Sequence, residues 1–171
     1  MAKRVFRRLI VGVMGGSDAD STVISNAESI GRFVAARGWV LLTGGRNEGV
    51  MAAASRGARE GGGLVVGVLP SRDGEDAGPD VDLAICTDMG DGRNLLNVLS
   101  SDVVVALSGR MGTLSEIALA LNAERPVVTL GHTLGPVFGP YRDAGLLVEV
   151  DSMSALESAL AAAVEAVSLS S

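Results

Sequence analysis

Short apolar runs alternate along the chain with longer stretches in which apolar residues recur at helical spacing. The short runs are nearly continuous, which is typical of strands that are buried on both faces. The longer stretches place apolar residues three or four positions apart, which predicts amphipathic helices. Strands are predicted at 9–14, 39–43, 64–69, 81–87, 103–107, 127–130 and 146–150, and helices at about 23–37, 50–60, 94–100, 113–122 and from about 153 onward.

This alternation predicts a parallel sheet, because each parallel connection needs a crossover segment and that segment is usually a helix. The crossover helices cover both sides of the sheet. We therefore predict a single doubly wound, Rossmann-like α/β domain over residues 1–171. A length of 171 residues with 47% hydrophobic content suits one compact domain.

Three turns rich in glycine fall at the predicted carboxyl ends of strands, where ligands bind in sheets of this kind. Glycine lets backbone N–H groups approach an anion, and the following helix adds unpaired donors and the positive end of its dipole. The turns therefore predict one crevice for a phosphorylated ligand. Its candidate binding residues are Gly15, Gly16, Ser17, Gly44, Gly45, Arg46, Gly109, Arg110, Gly112 and Thr113.

Other common sites are disfavoured by their missing patterns. The G-x-G-x-x-G spacing is absent after the first strand, and no acidic residue ends the second strand, which argues against NAD. No glycine-lysine-serine or glycine-lysine-threonine triplet supports a Walker-type ATP site. Pyridoxal phosphate is not expected either. His132 is interpreted as a loop histidine, because no cysteine or carboxylate spacing makes it a zinc ligand, and no metal site is predicted.

The charge balance and the single cysteine bear on partners and location. Fourteen Lys and Arg against 20 Asp and Glu leave a net charge of −6, which argues against nucleic acid and anionic membranes as partners. The basic segment 1–10 resembles the start of a signal peptide, but the apolar run after it is short and broken by Gly12, so a cytoplasmic protein is predicted. Cys86 fits a reducing compartment, with a buried thiol favoured over a reactive thiol or an intersubunit disulfide.

The motifs resemble those of the LOG-like superfamily, whose members were once widely labelled lysine decarboxylases. The likeness rests on Gly44-Gly45 with Gly49-Val50-Met51, on Arg93-Asn94, and on Gly109 with Gly112-Thr113 and Glu116. Within the superfamily, the stretches at 12–15, 38–46 and 115–121 look most similar to molybdenum cofactor carrier proteins. The resemblance covers about residues 9–131. It implies a homo-oligomer, a dimer or a tetramer, that binds either a nucleoside monophosphate or the phosphorylated pterin of molybdenum cofactor.

The resemblance leaves two principal functions open. In a carrier, the glycine turns hold the phosphate of the cofactor, Glu116 and Arg93 organise the pocket, and molybdoenzymes are possible recipients. In a phosphoribohydrolase, Arg93 and Glu116 are the catalytic residues that cleave the N-glycosidic bond of a nucleoside 5′-monophosphate. A carboxylate can stabilise positive charge on the ribose and orient water, while arginine grips phosphate or assists the departing base. A nucleotide sensor without chemistry is a third possibility.

The sequence departs from the enzyme pattern of the superfamily at three positions. Ser108 replaces a proline, Arg110 replaces the second glycine of the phosphate turn, and Asn94 replaces the usual lysine after the arginine. These differences favour a carrier over an enzyme. Thr113 and Glu116 also have the spacing of a capping box, in which the threonine caps a helix and the glutamate reaches back to it. Ligand contact and capping remain alternatives for these two residues.

Overall fold

A computed structural model describes residues 8–170 and, apart from Ser170, their side chains. Most of the basic segment compared with a signal peptide therefore lies outside the described residues. The strands are β1 (Ile10–Met14), β2 (Val40–Thr43), β3 (Leu64–Leu69), β4 (Leu83–Cys86), β5 (Val103–Ala106), β6 (Val127–Leu130) and β7 (Leu147–Val150). The helices are α1 (Ser21–Ala36), α2 (Gly49–Glu60), α3 (Arg93–Leu99), α4 (Met111–Asn122), α5 (Gly139–Asp143) and α6 (Met153–Ser170).

The strands form one parallel sheet in the order β4-β3-β2-β1-β5-β6-β7, with helices on both faces. Val13 on β1 packs into a core that includes α1, α2 and α6. Its neighbour Met14 packs into a second core that includes α3 and α4. Successive strand residues point to opposite faces, so a strand in the middle of the sheet must be apolar at nearly every position. The predicted doubly wound α/β fold is confirmed.

The strand order reverses direction beside β1. From β1 the chain builds outward through β2, β3 and β4 on one side, and then returns to place β5 on the other side of β1. The loops that leave β1 and β5 therefore run to opposite faces of the sheet and leave a gap between them, which is where open α/β sheets bind ligands.

Cys86 is exposed, so the prediction of a buried thiol was wrong. The cysteine lies on β4, an edge strand whose residues Leu83–Cys86 are all exposed. Nothing in the apolar run of β4 distinguishes an edge strand from a central one, because that difference depends on strand order.

The segment before β7 contains helical structure that the sequence does not predict. A 3-10 turn at Pro136–Phe138 leads into α5. Arg142 on α5 donates to Leu134 O and forms an ion pair with Glu149 on β7. Within the described residues no helix is both long and apolar enough to cross a membrane.

Candidate functional site

A cavity of about 310 Å³ opens at the gap between the loops that follow β1 and β5. We call this cavity the crevice. Most of the predicted binding residues line it, together with several that the sequence did not single out. The lining residues are Val13, Met14, Gly15, Gly16, Ser17, Asp18, Gly44, Arg46, Met51, Asp91, Arg93, Asn94, Ser108, Gly109, Arg110, Gly112, Thr113 and Glu116.

Gly16 ties together the loops that form the crevice. Its N–H donates to Ser108 O at 3.0 Å, which joins the loop after β1 to the loop after β5. Its carbonyl accepts from Val50 N–H at 3.1 Å, at the first turn of α2. The backbone of Gly16 therefore fixes the relative positions of three walls of the crevice.

The first turn of α4 faces the crevice with donors that the helix does not use. Arg110 is the N-cap, its backbone is extended, and its side chain makes no capping hydrogen bond. Helix geometry leaves the first N–H groups of α4 without intrahelical acceptors. The loop before the helix needs glycine, because a Cβ at Gly109 would lie 2.0 Å from Thr113 Oγ1. This turn has the geometry of an anion site.

The capping box does not form. Thr113 lies inside the first turn of α4, which begins at Met111 rather than at Thr113. Glu116 points instead toward α3, where Asn97 donates to it. Asp20 is the N-cap of α1, where its carboxylate accepts from Thr22 N–H and Val23 N–H.

Two arginines extend from the rim of the crevice. Arg110 is largely exposed and lies 2.8 Å from Asp18 across the opening. Arg46 lies 2.8 Å from Glu48. Each arginine has an exposed carboxylate partner, and such pairs contribute little to stability in water. Both guanidinium groups can therefore turn toward an anion at small cost.

Gly44 and Gly45 have different roles. Gly44 lines the crevice, whereas Gly45 does not. Gly45 has a φ of +76°, donates its N–H to Thr43 Oγ1 at 3.1 Å and accepts from Gly78 N–H at 2.8 Å. Its backbone is thus committed to shaping the turn. A Cβ at Gly44 would lie 2.1 Å from Arg93 Nη1, so glycine at this position makes room for the arginine.

Arg93 begins α3 and reaches under the β2 turn into the crevice. Its Nη1 donates to Val68 O at 2.9 Å. Burial lowers the pKa of the guanidinium, while the negative charge of Glu116 opposes that effect. Arginine keeps its charge under these conditions, because its ordinary pKa lies far above neutral pH. A buried positive charge therefore faces the cavity.

Glu116 lies on the second turn of α4 and is also buried. Its Oε1 accepts from Asn97 Nδ2 at 2.9 Å. Burial raises the pKa of the carboxyl group, and the hydrogen bond from Asn97 and the charge of Arg93 partly oppose the rise. The sequence does not single out Asn97 as a site residue. The available signal was its position four residues after Arg93, which places both residues on one face of α3.

Apolar side chains form part of the crevice wall and were not predicted as site residues. Met14 and Met51 line it and are almost fully buried. Methionine sulfur packs well against flat rings. The crevice therefore combines polar and charged groups with an apolar wall.

The chain matches the family model described as the SLOG cluster4 family over residues 8–159. This match covers most of the chain. The chain belongs to the SLOG cluster4 family. All the lining residues of the crevice lie within the matched range.

Two solved structures resemble this SLOG cluster4 protein over most of both chains. One is the molybdenum cofactor binding protein of the phototrophic bacterium Rippkaea orientalis, at 44% identity and a TM-score of 0.81, covering 88% of this chain and 93% of that chain. The other is the molybdenum cofactor carrier protein of Chlamydomonas reinhardtii, at 39% identity and a TM-score of 0.84, covering 93% and 99%.

A curated relative carries the name of an enzyme. It is the cytokinin riboside 5′-monophosphate phosphoribohydrolase of Mycobacterium tuberculosis, 35% identical over 103 residues. That alignment covers 59% of this chain and 55% of the relative, so the chain spans about half the length of this relative. The predicted resemblance to the LOG-like superfamily and to molybdenum cofactor carriers is confirmed.

Proposed function

We propose that this SLOG cluster4 protein binds and carries molybdenum cofactor in the crevice. The observation that carries the proposal is the likeness to the Chlamydomonas carrier over 93% of this chain. The location of the cavity at the reversal of strand order supports the same ligand site on physical grounds.

The chemistry of the walls suits a phosphorylated ring compound. The first turn of α4 offers backbone donors and the positive end of a helix dipole to the phosphate. Gly109, Gly112 and Thr113 line this part, and Arg110 stands at its rim. Ser17 and Arg46 add polar groups around the opening, while Met51 provides an apolar surface for the ring.

Retention of the cofactor tests this proposal. Cofactor released anaerobically from a molybdoenzyme is mixed with the purified protein, and molybdenum is measured in the protein peak after gel filtration. We expect about one molybdenum per crevice and slower oxidative loss of the cofactor than in buffer. Absence of molybdenum from the protein peak, with the protein in large excess, would refute the carrier function.

A phosphoribohydrolase is the second candidate, because Arg93 and Glu116 both line the crevice. The raised pKa of Glu116 suits a carboxylic acid that protonates a departing base. Purified protein incubated with nucleoside monophosphates tests this function through release of the free base, with Glu116→Ala as the control. Turnover by the wild type that is lost in the variant would establish the enzyme and contradict a carrier without catalysis.

We further propose a cytoplasmic homo-oligomer that passes its cargo to molybdoenzymes. Leu95 and Leu99 on α3 are 42% and 45% exposed, and Met111 at the start of α4 is 74% exposed. Apolar side chains of this size at a surface favour contact with another subunit. Light scattering coupled to gel filtration measures the assembly, and a monomer mass at micromolar concentration would contradict it.

A further inference from the structure

The crevice contains two buried side chains of opposite charge that do not pair with each other. Arg93 is 9% exposed and Glu116 is 7% exposed. Each charge influences the pKa of the other. Within residues 8–170, however, Arg93 forms neither an ion pair nor a hydrogen bond with Glu116. Buried charges are costly unless polar partners surround them, so the pair suits a polar group that contacts both.

Each of the two side chains is anchored at one atom and keeps another available. Glu116 Oε1 accepts from Asn97, and Oε2 has no hydrogen-bond partner among the described residues. Arg93 Nη1 donates to Val68 O, and Nη2 makes no hydrogen bond in the same part of the chain, whereas the unpartnered Nε is buried beneath the surface. The crevice therefore presents a fixed carboxylate acceptor and a fixed guanidinium donor.

This combination selects against simple ions. A phosphate that approaches Arg93 is repelled by Glu116, and a cation that approaches Glu116 is repelled by Arg93. A neutral group with an N–H donor beside a C=O acceptor satisfies both side chains. A cyclic amide has this arrangement, because its ring holds the N–H and the carbonyl side by side.

The surroundings of Arg93 suit a flat ring. The position of a Cβ at Gly44 would lie 2.1 Å from Arg93 Nη1 and 2.6 Å from Met51 Sδ. The thioether and the guanidinium are thus neighbours at one wall of the crevice. A heterocycle that bonds to Arg93 through its edge can rest its face on Met51.

We propose that Arg93 and Glu116 together recognise the cyclic amide edge of a heterocycle, with its N–H donating to Glu116 Oε2 and its carbonyl accepting from Arg93. This inference rests on the proposed carrier function, in which the edge is the 2-amino-4-oxo side of the pterin. Asn97 is a positioning residue that occupies Oε1 and leaves Oε2 for the ligand. The phosphate then lies at the other end of the crevice, at the first turn of α4.

The wild-type protein provides the first test. The probes are a fluorescent 2-amino-4-oxopteridine with a 6-phosphooxymethyl group and its 2,4-diamino analogue, in which an amine replaces the carbonyl opposite Arg93 and the ring nitrogen opposite Glu116 carries no hydrogen. We expect the oxo probe to bind about tenfold or more tightly at pH 7, since the analogue places a donor against Arg93 and a lone pair against Glu116. Equal affinity, or preference for the diamino probe, would overturn recognition of the amide edge by Arg93 and Glu116.

The Glu116→Gln variant provides the second test. Asn97 Nδ2 can still donate to the amide oxygen of the substituted side chain. The NH₂ group of that side chain then faces the N–H of the ligand, so a donor meets a donor. We expect the affinity for the oxo probe to fall about tenfold or more, while the affinity for ribose 5-phosphate stays within about twofold. An equal loss of affinity for ribose 5-phosphate would show that Glu116 recognises a sugar diol and would overturn the inference.

The two proposals fail in different ways. Failure of the wild type to bind molybdenum cofactor and both pteridine probes overturns the carrier function and the amide recognition together. Retention of cofactor without preference between the probes, and with no effect of Glu116→Gln, overturns only the amide recognition. Thermal melting of the variant confirms that it is folded, and the probe preference of the wild type does not depend on the variant.

Discussion

Asn97 Nδ2 lies 2.9 Å from Glu116 Oε1, and this hydrogen bond joins α3 to α4 beneath the crevice. Asn97 is fully buried, and its own Oδ1 has no partner among the described residues. A carboxylate inside the protein depends on such a donor, because removal of one partner leaves the other desolvated and unpaired. The bond therefore connects the stability of the helix pair to the orientation of the site carboxylate.

Replacement of Asn97 by Leu should destabilise the protein by about 1–3 kcal/mol at neutral pH. The hydrogen bond from Asn97 lowers the pKa of Glu116, so its loss raises that pKa further. The penalty should shrink in acid, where Glu116 is protonated in both proteins. Urea unfolding of both proteins at a series of pH values from 7 downward measures the change.

Asn94→Ala is the matched control for Asn97→Leu. Asn94 lies on the same helix, is less buried, and makes only a 3.4 Å contact with Ser115 Oγ. We expect its effect on stability to stay within about 0.5 kcal/mol. Equal effects of the two substitutions would contradict a special role for Asn97.

The stability of the ligand-free protein should depend on pH through Glu116. Because the folded pKa of Glu116 lies above its unfolded value, the cost of burying the charge is absent below the unfolded pKa of about 4.3. That cost develops as the pH rises through the folded pKa. The melting temperature of Glu116→Gln should therefore rise relative to that of the wild type as the pH increases across this range.

Glu149 provides a control of opposite sign. The hydrogen bond from Arg142 holds the pKa of Glu149 below its ordinary range. Its stabilising contribution is present above the unfolded pKa and is lost as the pH falls through the folded pKa. Glu149→Gln should therefore lose most stability at neutral pH and approach the wild type in acid. If the stability of both variants changed with pH in parallel with that of the wild type, the directions assigned to the pKa shifts of Glu116 and Glu149 would be wrong.

Arg110 should contribute to ligand binding without contributing to stability. It is 86% exposed beside Asp18, so Arg110→Ala should change the free energy of unfolding by less than about 0.5 kcal/mol. The affinity for a phosphorylated pterin should fall about tenfold at low salt, with a smaller fall at high salt because ions screen an exposed charge. Calorimetric titration at two salt concentrations measures both effects.

Arg72→Ala is the matched control for Arg110→Ala. Arg72 is 85% exposed and also lies beside an aspartate, Asp88, but it does not line the crevice. Its replacement should leave the affinity unchanged. A similar loss in both variants would mean that net charge, rather than the position of Arg110, determines binding.

The thiol of Cys86 should react in the folded protein. It is the single cysteine of the chain and is exposed on the edge strand β4. We expect one equivalent of Ellman's reagent to react at a rate within about tenfold of that in denaturant, because the thiol is accessible. Strong protection would contradict free exposure and place another molecule over the β4 edge.

The sequence predicts those elements whose limits are set locally. The bounds of β3 and β6 agree with the prediction at every residue, since glycines at 61–63 and Pro70 frame β3, and Pro126 and Gly131 frame β6. The glycine turns also predict the crevice, because their residue types and their places after strands are both visible in the sequence.

Other features depend on contacts between distant segments. The bond between Asn97 and Glu116 requires the packing of α3 against α4, so the local capping pattern of Thr113 and Glu116 is misleading. The exposure of Cys86 depends on strand order. Gly45 looks equivalent to Gly44 in the sequence. A Cβ at Gly45 would lie 2.9 Å from Gly67 Cα, however, so glycine is needed there because the turn passes close to β3.

Chemical-shift mapping tests the central claim most directly, because it asks whether the crevice itself holds the cofactor. Uniformly ¹⁵N-labelled protein is titrated anaerobically with molybdenum cofactor, and the backbone amide signals are followed. We predict saturable changes at Gly16, Gly109 and Gly112, which line the crevice, and little change at Gly131, Thr133 and Asp151 around a second cavity beyond β6 and β7. Changes confined to the second cavity, or no changes at all, would contradict the account.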